Sequence, residues 1–335
     1  MSIMERFDVK AQFIIPAFNN AQDIDKTISS ILNQTFEKDK IYLLIMDFGS
    51  TDGTYEKILS YSSEHVGVFR SNKTKNKNLM ISEMAALLDY LSPIAEECFY
   101  AVVYPGDVLY PAFLKKTVAS MIESSRRPYQ VICETDLFGE KEEIISQESL
   151  FQEDCFIDGK NDMSEYVKRG YRHQVQCLSS RNFFKGSFRA YGEMNEQRWW
   201  NKCGRMNINK TSYYIKEPLA CLKPVKYDDE LEEILFRWES IILQIASYEV
   251  AYHEVFDNDY IEKGSKNLAQ YALWRSFLLA DTDTKMAEDC RLISAVIDSE
   301  IEKTEVYDIT QRYLEKHGSK ERVFLKQYYE AHGMS

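Results

Sequence analysis

The chain has 335 residues and a formal net charge of -12, with 44% hydrophobic and 28% charged residues. Those proportions exclude a disordered chain, a collagen-like chain and a disulfide-stapled miniprotein. The 13 glycines and 7 prolines are few, which favours long helices over a many-turned all-β fold.

At roughly 150 residues per domain, the length predicts about two domains. The first 110 residues alternate short apolar runs with helical patterns. Ala11–Ile15 reads as a buried strand halted by Pro16, and Asp23–Gln34 as an amphipathic helix with Ile24, Ile28, Ile31 and Leu32 on one face. Ile41–Met46 is a second buried strand that ends in a Gly/Ser/Thr/Asp-rich turn. A helix begins near Thr54, with Asp52 placed either to cap it or to meet a ligand, the cap being the preferred reading. Val66–Arg70 reads as a third strand, Leu79–Leu91 as a helix and Phe99–Tyr104 as a fourth strand. Such alternation predicts a mostly parallel sheet with helices on both faces.

From 111 to 225 the pattern is mixed. Ala112–Ser124 reads as helix, Tyr129–Cys133 as strand, and Lys141–Lys168 as polar and irregular. Beyond Pro224 apolar residues recur at helical spacing, first as a stripe of Leu231, Ile234, Leu235, Trp238, Ile241, Ile242 and Ile245. Further helical stretches are expected at 258–280, 284–303 and 305–331. The expected domains are thus an α/β unit over 1–225 and a helical bundle over 226–335.

Residues 226–335 hold 13 basic and 23 acidic side chains, against 28 and 30 in the first 225. The bundle therefore carries most of the negative charge, which argues against nucleic acid or an anionic membrane as its partner. Acceptor recognition, a protein partner or self-association as a homo-oligomer remain open to it. Seven scattered cysteines without a C-x-x-C pair, and five histidines, give no zinc pattern. Reduced cysteines, a charged N-terminus without a signal-peptide core and no apolar run of about 18 residues predict a cytoplasmic protein. It would be at most peripheral at the inner face of the membrane.

Ligands of parallel α/β sheets bind at the carboxyl ends of the strands, so the turns there carry the chemistry. They are Pro16-Ala17-Phe18-Asn19-Asn20, Asp47-Phe48-Gly49-Ser50-Thr51-Asp52-Gly53-Thr54 and Tyr104-Pro105-Gly106-Asp107. The run FIIPAFNNAQDIDKTISSILNQTF followed by IYLLIMDFGSTDGT resembles the opening of a family 2 glycosyltransferase with the GT-A fold. That family shows P-x-(Y/F)-N, then S-I-L-x-Q-T-(F/Y), then D-D-x-S-x-D-x-T. The match is dense through Thr54, thins to single motifs between about 55 and 200, and stops near 225.

The resemblance implies a nucleotide diphosphate sugar as donor, a glycan or glycoconjugate hydroxyl as acceptor, and an inverting transfer. Pro16, Phe18 and Asn19 would line the nucleotide pocket. Asp47 matches the first aspartate of D-D-x-S, while Phe48 stands where relatives carry the aspartate that accepts from the base. Lys77 and Asn78 match an Arg-Asn pair that faces the donor, and a solvated basic loop is the other reading of that stretch. The family's D-x-D motif binds Mg2+ or Mn2+, but its aspartates fall on Tyr104 and Gly106. Asp107 is left as the single candidate metal ligand. For the general base, one frame of the segment 192–200 selects Glu196 and the other Gln197, which accepts no proton at neutral pH. Glu196 is the preferred reading, with Arg198, Trp199 and Trp200 on the acceptor side. The two tryptophans suit either a sugar face or a helix core. Loss of the side chains at 48, 104 and 106 also admits a non-catalytic module that binds glycan or supports an active partner.

Overall fold

A computed structural model describes residues 9–71, 98–139, 141–147, 149–169, 176–180, 209–224 and 230–334. The chain divides into two compact units. One comprises Met1–Gly159 and His173–Pro224, the other Lys160–Arg172 and Val225–Ser335. The expected helix at 79–91 lies outside the described residues.

Among the described residues the first unit is built on ten strands: β1 (Lys10–Ala17), β2 (Ile41–Asp47), β3 (Val66–Arg70), β4 (Cys98–Val102), β5 (Val108–Leu109), β6 (Gln130–Phe138), β7 (Ile144–Ser146), β8 (Cys155–Asp158), β9 (Gln176–Ser180) and β10 (Thr211–Leu222). They form one sheet in the order β3-β2-β1-β4-β9-β6-β10-β5, with β7 on β6 and β8 on β10. The four leading strands are parallel, as is β6 beside β10. Strands β5, β7, β8 and β9 pair antiparallel. The sheet is mixed and mostly parallel at its core, as expected, with four consecutive parallel strands in the first hundred or so residues.

The apolar runs account for the central strands. Phe13, Ile14 and Ile15 of β1 and Ile45 and Met46 of β2 have no exposed surface, as strands covered on both faces require. Each such side chain contributes about 1.5–3 kcal/mol by leaving water. Strand β10 carries Pro218 within it, and the pairing with β6 shifts register on both sides of that residue. A proline has no N–H for the ladder, so it sits at the bulge.

Among the described residues the unit also holds α1 (Ile24–Leu32), α2 (Thr54–Ser60) and α3 (Phe113–Glu123). Helix α1 buries Ile24, Ile28 and Ile31 in the core. Thr27 of α1 is also fully buried, as is Gln34 just beyond it, and both act on the site described below.

The second unit holds α4 (Gly159–Arg169, from Lys160 onward), α5 (Glu230–Tyr252), α6 (Asn258–Leu279), α7 (Thr284–Ile297), α8 (Glu305–Lys316) and α9 (Ser319–Ala331). Helix α4 lies in the stretch read as irregular. It joins α6 through Asn267, whose side-chain amide donates to the Lys168 carbonyl at 3.0 Å. Side chains of Asp257, Asp283 and Thr304 cap α6, α7 and α8, each typically worth about 1 kcal/mol. The single stretch expected at 305–331 is two helices. His317 turns left-handed at φ 47 and Gly318 starts the next helix. Asp281 braces that corner, accepting from the Tyr313 hydroxyl at 3.0 Å and pairing with Arg322.

Helix α5 presents a different face from the stripe expected. Ile234 and Ile241 are buried, but Leu235 and Ile242 are exposed. Glu233 turns inward instead, where Arg237 and the Tyr271 hydroxyl hydrogen-bond its carboxylate. Most bundle tyrosines pack: Tyr307, Tyr313 and Tyr329 are buried. Among the described residues all cysteines are free and no helix is long and apolar enough to cross a membrane.

Candidate functional site

The order β2-β1-β4 places the strand-order reversal at β1, so the loops after β1, β2 and β4 meet at one edge of the sheet. Such switch points open a crevice at the carboxyl ends of the strands. The β1 and β2 loops are laced together across it. The Asn19 and Asn20 amides donate to the Ser50 and Thr54 hydroxyls at 3.0 and 2.8 Å. In return the Thr51 amide donates to Asn19 Oδ1 at 2.9 Å. Asn19 adopts φ 55 to do so, a conformation asparagine tolerates better than most residues. Phe18 is half-buried and Pro16 buried at the base of this loop.

Asp52 accepts from the Thr54 amide at the start of α2 and from the Ala21 amide across the loops, both at 3.0 Å. Desolvation raises its carboxyl, but the bonds from Thr54 and Ala21 outweigh it and leave the group below its ordinary value. It holds the first amide of α2, whose N-cap is Gly53, and braces the two loops together.

Asp47, at the end of β2, is fully buried. Its Oδ1 accepts from the Ser50 amide at 3.2 Å, and its Oδ2 lies 3.3 Å from Arg70 Nε. Arg70 also stacks 4.0 Å over the Tyr55 ring. The neighbouring Phe48 is 1% exposed, so its ring is shut off from solvent.

The turn after β4 is clamped by α1. Thr27 Oγ1 donates to the Asp107 carbonyl at 2.8 Å and accepts from the Gly106 amide at 2.9 Å. Ser30 Oγ accepts from the Leu109 amide, while Gln34 donates to the Tyr110 carbonyl and accepts from the Leu114 amide. The polar residues of S-I-L-x-Q-T thus hold the β4 turn in place.

Asp107 is 6% exposed. Its Oδ1 accepts from the Lys223 amide at 2.9 Å and its Oδ2 from the Tyr104 amide at 3.2 Å. One backbone amide engages each oxygen, so the carboxylate braces the turn after β4 against the end of β10 and keeps lone pairs to spare. Tyr104 and Gly106 supply no carboxylate, and Gly106 adopts φ +107. Among the described residues no three His, Cys, Asp or Glu side chains converge as a metal site. The described residues thus offer a divalent cation one carboxylate where the D-x-D pattern offers two, a poorer fit to Mg2+ or Mn2+.

Burial pushes the Asp107 carboxyl up to about 7 from 3.8, against the pull of the Lys223 and Tyr104 amides and the Lys26 and Lys223 charges. Between those values the folded protein holds a proton that the unfolded chain has released. The contribution of Asp107 to stability is therefore complete below about pH 4 and lost as pH rises through about 7. Melting temperature should fall across that window, and Asp107→Asn should flatten the fall. An unchanged slope in the variant would assign the titration to another group.

Thus Pro16, Phe18, Asn19, Asp47 and Asp107 are brought to one sheet edge, with Phe48 beneath it. Lys77, Asn78, Glu196, Arg198, Trp199 and Trp200 lie outside the described residues. Sequence reasoning passed over Thr27, Arg70 and Lys223. The first had a signal, since Thr27, Ser30 and Gln34 recur at helical spacing along α1 and just past its end.

Residues 12–90 match the family model described as glycosyl transferase family 2. The glycosyltransferase AglE of Haloferax volcanii is 38% identical over 52 residues, a segment that covers 16% of this chain and 17% of that protein. Among solved structures, residues 1–349 of S. aureus TarS superpose with a TM-score of 0.56 at 13% identity, covering 96% of this chain and 92% of that one. Its complex with UDP-GlcNAc gives 0.57 at the same identity and coverage. The likeness to TarS is one of fold. Residues 12–90 are thus similar to family 2 glycosyltransferases, and the chain shares its fold with TarS.

Proposed function

We propose that this protein is an inverting glycosyltransferase that moves a sugar from a nucleotide diphosphate donor to a hydroxyl of a glycan, lipid-linked or protein acceptor. The observation that carries this reading is the coincidence of the family match, residues 12–90, with the strands and laced loops of the switch point. Pro16, Phe18, Asn19 and Asp47 frame the donor side, with Lys77 and Asn78 assigned there from the family pattern. Glu196 takes the proton of the acceptor hydroxyl as its oxygen bonds to the anomeric carbon. The bond to the β-phosphate oxygen breaks, and the nucleoside diphosphate leaves with the electron pair. Arg198, Trp199 and Trp200 belong to the acceptor side. TarS has been crystallised with UDP-GlcNAc and with UDP, which makes uridine donors the first to try.

The test is thermal-shift and turnover measurement with UDP-, GDP-, dTDP- and CMP-sugars. One of them is expected to raise the melting temperature. Glu196→Gln should then cut turnover by about 10²–10⁴ while keeping donor binding, and full activity in that variant would reassign the base.

A second reading, a non-catalytic module that binds glycan or supports an active partner, is favoured by Phe48. Its ring is buried where relatives carry a base-contacting aspartate. It predicts no stabilisation by any nucleotide sugar. The acidic helical unit is assigned to acceptor, partner or self-association.

A further inference from the structure

We propose that Lys223, with Lys26, takes the place of the divalent cation at the donor diphosphate, so that this protein binds nucleoside diphosphates without metal. The inference rests on the donor reading above and adds to it the group that meets the leaving phosphate. Gly106 stands at the second D-x-D position. A Cβ built there would lie 2.7 Å from Cδ, 3.4 Å from Cβ and 3.6 Å from Cγ of Lys223. The lysine stem therefore fills the space into which a D-x-D aspartate would project.

The stem is fixed at its root by the bond from the Lys223 amide to Asp107. Its ammonium ends on the Asp23 carboxylate just before α1, and Lys26 Nζ stands 3.7 Å from the other oxygen of Asp23. Lys26 also reaches Glu142 at 3.4 Å, a residue whose side chain is 78% exposed. Two ammonium groups and their carboxylate counter-ions thus lie beside the Gly106 turn and the start of α1. The Lys223 side chain is itself 47% exposed, so its exchange of a carboxylate for a phosphate needs no core rearrangement. Ion pairs so exposed are worth little, whereas a diphosphate offers more charge and more acceptor oxygens. Two lysines match the charge of one divalent cation, and they stabilise the electron pair left on the β-phosphate oxygen as the sugar departs.

The experiment is calorimetric titration of the full chain with UDP, GDP and dTDP, and with uridine, guanosine and thymidine, in EDTA and in Mn2+. A diphosphate is expected to bind in EDTA within about twofold of its affinity in Mn2+. Lys223→Met, which keeps an unbranched stem and the backbone amide, should weaken that diphosphate by about tenfold or more. It should leave the matching nucleoside unchanged, and Lys223→Arg should restore part of the loss. A melting curve checks that each variant is folded. Diphosphate binding that requires Mn2+, or that survives Lys223→Met intact, overturns this inference and leaves the donor reading standing. Failure of all three diphosphates to bind the unaltered protein overturns the donor reading and this inference with it.

Discussion

Alanine at Gly264 is expected to lower the melting temperature of the helical unit by roughly 10 °C, the equivalent of about 3 kcal/mol. Gly264 lies buried in α6, and a Cβ there would meet the Val167 carbonyl oxygen of α4 at 1.9 Å and its carbon at 2.9 Å. The obstacle is backbone, so no side-chain rotation relieves it. Either α4 moves away, exposing the fully buried Val167 and lengthening the bond from Asn267 to Lys168, or α6 bends. Alanine's better helix propensity returns about 1 kcal/mol at most, too little to change the sign. Gly67→Ala is the control. Its Cβ would find Leu44 at an ordinary 3.7 Å, and a shift near zero is expected. If Gly264→Ala melts like the parent, α4 and α6 do not approach this closely.

Arg70→Ala is the second large effect. Asp47 has no exposed surface, and Arg70 is the cation at its Oδ2. Removing one member of a buried pair costs about 3–5 kcal/mol, because the other charge stays behind uncompensated. The Arg70 side chain is 37% exposed, so water screens part of that, and about 2–3 kcal/mol is the expected loss. The variant also forfeits the stacking on Tyr55 and a bond at 3.4 Å to the Ser50 carbonyl in the laced loop. Urea unfolding of Arg70→Ala, Asp47→Asn and the double variant separates these contributions. If the orphaned charge dominates, Asp47→Asn added to Arg70→Ala should recover most of the stability. A double variant no better than Arg70→Ala would place the loss in the stacking and loop contacts.

Much of the α/β framework was legible because its strands are covered on both faces. An uninterrupted apolar run such as FII or LLIM, closed by a turn, suits a doubly covered strand and little else. Strand β10 was not legible, since Lys216, Glu217 and Pro218 break its pattern where the pairing bulges. Helix α4 escaped notice because the apolar side chains it is seen to bury are few, Met163 and Val167, and the helix it meets at Gly264 lies far off in the sequence. The stripe on α5 was misplaced because burial of the helix depends on a polar group. Glu233 is satisfied by Arg237 and Tyr271, and no hydrophobic count reveals that pairing. At the site, position was readable and partnership was not. Asp47 and Asp107 stand where the motifs set them, yet what occupies their oxygens is decided by Arg70 and by the Lys223 amide. Lys223 belongs to no motif. Its trace in the sequence is a gap, the glycine at 106 where an aspartate is usual.

The helical unit is assembled from two stretches of chain, with Asn267 of α6 bonded to a residue 99 positions earlier. During synthesis at about 5–20 residues per second, α4 would leave the ribosome about 5–20 s before that partner exists. It must wait as an unpaired amphipathic segment while the strands that flank it in sequence find their partners. A single proteolytic cut near Pro224 would strand it in the same way, on the wrong fragment. The two units therefore cannot be parted by one scission, and dissecting their separate activities calls for grafting residues 160–172 out of the α/β unit as well.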